Sequence, residues 1–188
     1  MINITQIGPP PPISSYGHVS INNPRNTATT FSSTAASIRD QGVKLLDSSA
    51  LVSSSVRLPN GGWISASVFK HENHSANNPL FVVKGVDING WKYEAVVNIN
   101  DVNPNFASFI EMMALDGHFM TEGKPIGAAR SVIGTLGAGV GVYNVFTMFD
   151  FLPPLQEMMV FQRSNGNLSG YAHYKNIIDS LLDFIARK

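Results

Sequence analysis

The segment His71-Glu72-Asn73-His74 sets two imidazoles three residues apart with a carboxylate between them. Closely spaced histidines do hold zinc, but the metalloprotease pattern is H-E-x-x-H, and here neither that spacing nor a third ligand is evident. On a strand, a spacing of three sends the two rings to opposite faces, so only a turn could join them. The segment reads as a solvated connector. Glu111, Asp116 and His118 cluster near one predicted helix end and could form a general acid–base group. The expectation is plainer: Glu111 on an exposed helix face, the other two in a terminating turn. His173 offers a base, but Asp179 lies six residues on, off the facing positions of a helix. No G-x-S-x-G elbow and no S-x-x-K occurs. The reading therefore leans away from an enzyme and assigns no catalytic, cofactor-binding or metal-binding residue.

Four glycines fall between Gly134 and Gly141, inside the uncharged run 131–149. A Walker loop needs a lysine after the last glycine, and none follows; a dinucleotide fingerprint needs glycine where Val142 stands. Gly137-x-x-x-Gly141 matches the small-residue packing motif of membrane helices. A span needs about 20 predominantly apolar residues, and this run is diluted by glycine, Asn144 and hydroxyls. The expectation is a flexible Gly-rich connection near 126–150.

The composition narrows the classes further. Of 188 residues, 44% are apolar and only 14% charged, with thirteen basic residues against thirteen acidic. A balanced charge supplies no field for nucleic acid, and no nucleic-acid partner is expected. With no cysteine, disulfide scaffolds, zinc ribbons and thiol catalysis are excluded. The first twenty residues carry no basic n-region and no apolar h-region, so they do not read as a secretory signal peptide. Residues 1–48, with "PPPPISS" and a Ser/Thr/Asn-rich tract, read as a disordered leader.

Residues 49–188 read as a single α+β domain. Two hairpins are predicted, "LVSSSVRL-PNGG-WISASVFK" and "LFVVKGVDI-NG-WKYEAVVNI", each turning at Asn-Gly. A two-residue loop at Asn89-Gly90 would oppose Ile88 to Trp91, Asp87 to Lys92 and Val86 to Tyr93, leaving Lys84 across from Ala95. A four-stranded antiparallel sheet follows, packed by amphipathic helices. One helix would start at Asn103-Pro104, carry a stripe of Phe106, Phe109, Ile110 and Met113, and stop at Gly117. Another would start at the prolines before Leu155. The last would bury Tyr174, Ile177, Ile178, Leu181, Leu182 and Ile185.

The stretch "NNPLFVVKGVDINGWKYEAVVNINDVNPNFASFIEMMALDGH" resembles a group of short bacterial proteins from anaerobic Gram-positive organisms. They share N-P-x-x-x-V-K-G-x-D-x-x-G followed by V-N-P-x-x-A-S-x-x-E-M-x-A-L. The matching positions here include Asn78, Pro79, Lys84, Gly85, Asp87, Gly90, Pro104, Ser108, Glu111 and Leu115. "LQEMMVFQRSNGNLSGYAHYKNIIDSLLDF" is similar to their C-terminal helix pair. The resemblance implies architecture and a bacterial source, and carries no catalytic role. "MINITQIG" is similar to the unstructured leader of flagellar anti-sigma and hook-associated proteins, which implies export without a cleaved signal.

These readings converge on a non-enzymatic binding or protein-interaction module, with another protein as partner. Trp91 and Tyr93 on the sheet, with Leu155, Met158 and Met159 on a Met-rich helix, are the candidate contact residues. The expected location is cytoplasmic, or exported without a cleaved signal peptide. The alternative is an exported or envelope-associated protein that uses its leader, or touches membrane through the glycine run.

Overall fold

The computed structural model describes residues 44–57, 61–136 and 145–188, and for 133–136 the backbone alone. The leader 1–43, the tip of the first hairpin at 58–60 and the glycine-rich segment 137–144 lie outside the described residues. Strands β1 (Val52–Arg57), β2 (Trp63–Lys70), β3 (Leu80–Val86) and β4 (Lys92–Asn98) pair in chain order as one antiparallel sheet. The α+β expectation and its two hairpins hold. Residues 44–46, assigned above to the leader, instead lie beside the end of β2: Leu45 bridges His71, and the Leu46 N–H donates to the Lys70 carbonyl.

The second hairpin differs from expectation by one residue. Val86 faces Lys92, Gly85 faces Tyr93 and Lys84 faces Glu94, so five residues, Asp87 to Trp91, close the turn. Asp87 accounts for the longer loop: its Oδ1 accepts the Asn89 and Trp91 N–H groups, and its carbonyl accepts the Gly90 N–H. Gly90 supplies the positive φ of 79°. Side chains alternate along a strand, so the shift turns every β3 side chain to the other face. Phe81 and Val83 enter the core with Tyr93, Ala95 and Val97, and Gly85 lies against the Tyr93 ring. Lys84, expected near Ala95, instead lies 2.8 Å from Glu94 as a solvent-side ion pair.

Helix α1 (Phe109–Thr121) begins five residues later than the Asn103-Pro104 pattern suggested. Ser108 caps it, and Asn103 holds a turn before it, accepting the Asn105 N–H on its side chain. Phe106 is thereby left largely exposed. From Phe109 to Gly117 every residue of α1 is buried. A helix apolar all round has to be covered all round. The sheet lies on one side, with α2 (Ala128–Leu136) and the end of α4 (Leu168–Ala186) packed elsewhere around it.

Gly117 does not stop α1; it permits close approach. A methyl there would stand 2.6 Å from Val68 Cγ1 on β2. Gly85 is tighter still, because an added Cβ would fall 1.9 Å from the Ser65 carbonyl oxygen and 2.4 Å from the Tyr93 hydroxyl. Tyr93 crosses that gap and donates to Ser65 O at 2.7 Å.

The stretch expected to be a flexible connection is partly regular. Its first portion is α2, including Gly134. Its last portion returns to the core, with Phe149 bridging Ala107 and stacking on buried Phe151 at 4.0 Å. Helix α3 (Leu152–Ser164) then starts on two prolines, which lack the N–H groups a first turn leaves unpaired. α3 packs chiefly on α4, forming a helical hairpin.

Candidate functional site

Two buried carboxylates on α1 organise its surroundings. Ser108-Phe109-Ile110-Glu111 is a capping box: the Glu111 N–H donates to Ser108 Oγ, and Glu111 Oε2 accepts the Ser108 N–H at 2.7 Å and its hydroxyl at 2.8 Å. Glu111 is therefore buried, not on an exposed face. Burial pushes its carboxyl above the ordinary range, while the Ser108 hydrogen bonds pull it back in part.

Asp116 lies within the helix, not in a terminating turn, and caps a different helix. Its two oxygens accept the Ala128 and Ala129 N–H groups at 2.8 and 3.1 Å, the first donors of α2. Burial pushes its carboxyl up to about 7, although those two hydrogen bonds and the charge of Arg130 pull down. Arg130 forms no ion pair with Asp116 or with any other described carboxylate.

Asp116 and Arg130 line one cleft of about 310 Å3 between β1, α1, the 125–130 segment and α4. Its walls are mainly apolar, with Val52, Met113 and Ile126 among them, and His173 stands on the α4 side. Ser54, on the core-facing side of β1, lines the cleft too. It is only 9% exposed, and its hydroxyl has no hydrogen-bond partner among the described residues. Such a group costs about 1–3 kcal/mol.

The second candidate surface is the outer end of the α3–α4 hairpin. No residue from 156 to 176 is buried, and Val160 (62% exposed), Phe161 (56%) and Leu168 (72%) face solvent. The turn that carries them is fixed by its own polar groups. Asn167 caps α4 by accepting the Gly170 N–H, and its side-chain amide donates to Gln162 Oε1 at 2.6 Å. Asn165 and Ser164 both donate to the Phe161 carbonyl, while the Arg163 guanidinium sits 5.7 Å from the Tyr171 ring.

His71, His74 and His118 are absorbed into structure. His71 Nδ1 accepts the Asn73 N–H, and His74 Nδ1 donates to the Leu80 carbonyl while its ring meets Phe81 edge-on at 4.7 Å. His118 packs among Phe81, Phe119 and Phe184, 3.4 Å from Glu122. Burial lowers its pKa, Glu122 opposes that, and His74 and Arg187 reinforce it. Among the described residues, no group of three His, Cys, Asp or Glu side chains could hold a metal ion. Nor is any described helix long and apolar enough to cross a membrane.

The contact residues expected from sequence divide. Tyr93 and Leu155 are core residues and offer no surface: the β4 face that Tyr93 shares with Ala95 and Val97 is the covered one, and α3 seats Leu155 inward. Trp91 is half-buried in the hairpin turn, and Met158 and Met159 are half-buried, Met159 against the main core. Neighbouring Val160 and Phe161 carry the exposure instead. The capping box was open to sequence reading, since S-x-x-E directly precedes an apolar run. Nothing local marks Ser54, Asp116 and Arg130 as neighbours.

Compared with protein-family models, curated proteins and solved structures, the chain matches none. The likeness of the 77–118 segment to short bacterial proteins remains an expectation.

Proposed function

We propose that the chain is a non-enzymatic interaction module that engages another protein through the outer end of the α3–α4 hairpin. One observation carries the reading: three large apolar side chains, Val160, Phe161 and Leu168, each more than half exposed, at a turn held by its own hydrogen bonds. A stiff element loses little conformational entropy on docking, so its apolar area converts more fully into affinity. Helical surfaces of this kind suit an amphipathic helix or an apolar groove on the partner. The alternative, an exported or envelope-associated role, would rest on the leader 1–48 or on the glycine-rich run at 131–149.

Site-specific photocrosslinking tests the reading. A photoreactive residue at position 161 should give discrete protein adducts in the producing cells, and one at Ser55, on the exposed sheet face, should not. Adducts from 161 should disappear when Val160 and Leu168 are both changed to serine. Equal labelling from the two positions would refute the assignment.

A further inference from the structure

We infer that the cleft between β1, α1 and α4 binds a small zwitterion with an apolar body, an aliphatic α-amino acid, between Asp116 and Arg130. The two residues line the same cleft and do not pair with one another, and above about pH 7, where Asp116 is ionised, they carry opposite charges. A ligand with an ammonium and a carboxylate on one carbon completes both. The planar guanidinium of Arg130, exposed beside Gly127, takes the carboxylate as a fork. Asp116 has each oxygen committed to one N–H, and a carboxylate oxygen accepts more than one hydrogen bond, so it can also receive the ammonium.

Ser54 is the independent sign of a built site. A serine hydroxyl nine-tenths buried and without a partner among the described residues is a defect in a structural core. Turned toward the cleft, that hydroxyl accepts from the same ammonium. Met113 and Ile126 then cover the aliphatic side chain, and a cleft of about 310 Å3 is of the size that holds small ligands.

Calorimetric titration of the full chain with leucine, isovalerate and isoamylamine separates the contributions. Leucine should bind more tightly than either single-charge analogue. Arg130→Ala should weaken leucine binding at least about tenfold, the worth of one charge-assisted contact, and leave isoamylamine unchanged. Ser54→Ala should weaken leucine and isoamylamine alike while raising the melting temperature or leaving it unmoved. Arg130 is exposed, so its substitution does not threaten folding. Three results would overturn the inference: no heat from leucine at about 10 mM, isovalerate binding as tightly as leucine, or leucine binding indifferent to both substitutions.

Discussion

The sheet with α1 and the outer end of the α3–α4 hairpin use apolar residues in opposite ways. In the body, space is the scarce quantity. Gly85, Gly117, Ala66 and Ala95 stand where strand, helix and the Tyr93 ring close to contact, and even the carboxylates Glu111 and Asp116 are enclosed and hydrogen-bonded. In the hairpin's outer end, large side chains meet water and the order comes from Asn165, Asn167 and Gln162. Substitutions should therefore register as lost stability in one region and as lost association in the other.

The sharpest way to break that contrast is Gly85→Ala. With a backbone oxygen 1.9 Å from the new methyl and the Tyr93 hydroxyl at 2.4 Å, the β2–β3 pairing or the Tyr93–Ser65 bond has to give way. Urea unfolding should show a loss of at least about 3 kcal/mol. A loss under about 1 kcal/mol would mean the core is looser than these contacts require.

Asp116 ranks next. Asp116→Ala orphans two N–H groups at the start of α2 and should cost about 1–3 kcal/mol. Its ionisation has a defined sign. The folded value is raised from 3.8 to about 7, so the folded state holds the proton more tightly. Its contribution is fully present below pH 3.8 and is lost as pH rises toward about 7. Relative to Asp116→Asn, the wild type should thus lose stability steadily across that window. His118, with a lowered pKa, works in the opposite direction, its contribution fading as pH falls below 6.5. Comparison with the Asn variant cancels it. A flat difference curve would contradict the burial of Asp116.

Ser108→Ala removes one capping partner and leaves Glu111 without two of its hydrogen bonds to Ser108, for about 1–2 kcal/mol by thermal unfolding. Smallest of all should be Val160→Ser, Phe161→Ser and Leu168→Ser, each within about 0.5 kcal/mol because the side chains are already solvated. Val160→Ser combined with Leu168→Ser should still abolish the crosslinks expected from position 161. If they destabilise the chain as much as Ser108→Ala does, the hairpin's outer end belongs to the body and the contrast fails.

Much of the fold was legible because it rests on short-range signals. Alternating strands bounded by Asn-Gly turns, the prolines before Leu155 and the apolar stripe around Ile177, Ile178 and Leu181 each specify their element locally. The misreadings have separate causes. At Asp87 a side chain capturing two turn N–H groups lengthened the loop and shifted the register. At Asn103 a good capping residue lost to Ser108, whose partner Glu111 is correctly spaced. At Gly117 a helix breaker became a contact point, because tertiary packing against Val68 outweighs about 1 kcal/mol of helix propensity.

By itself, the sequence determined the strands, the hairpins, three of the four helices and the absence of thiol chemistry, since each follows from residue type and spacing along the chain. Only the tertiary structure decided that Asp116 would cap a helix twelve residues away, that Ser54 would face the same cleft, and that Val160 and Phe161, rather than Leu155, would meet solvent. The reason is physical. Periodicity specifies which residues share a face, but which face is covered depends on elements that pack from far along the chain.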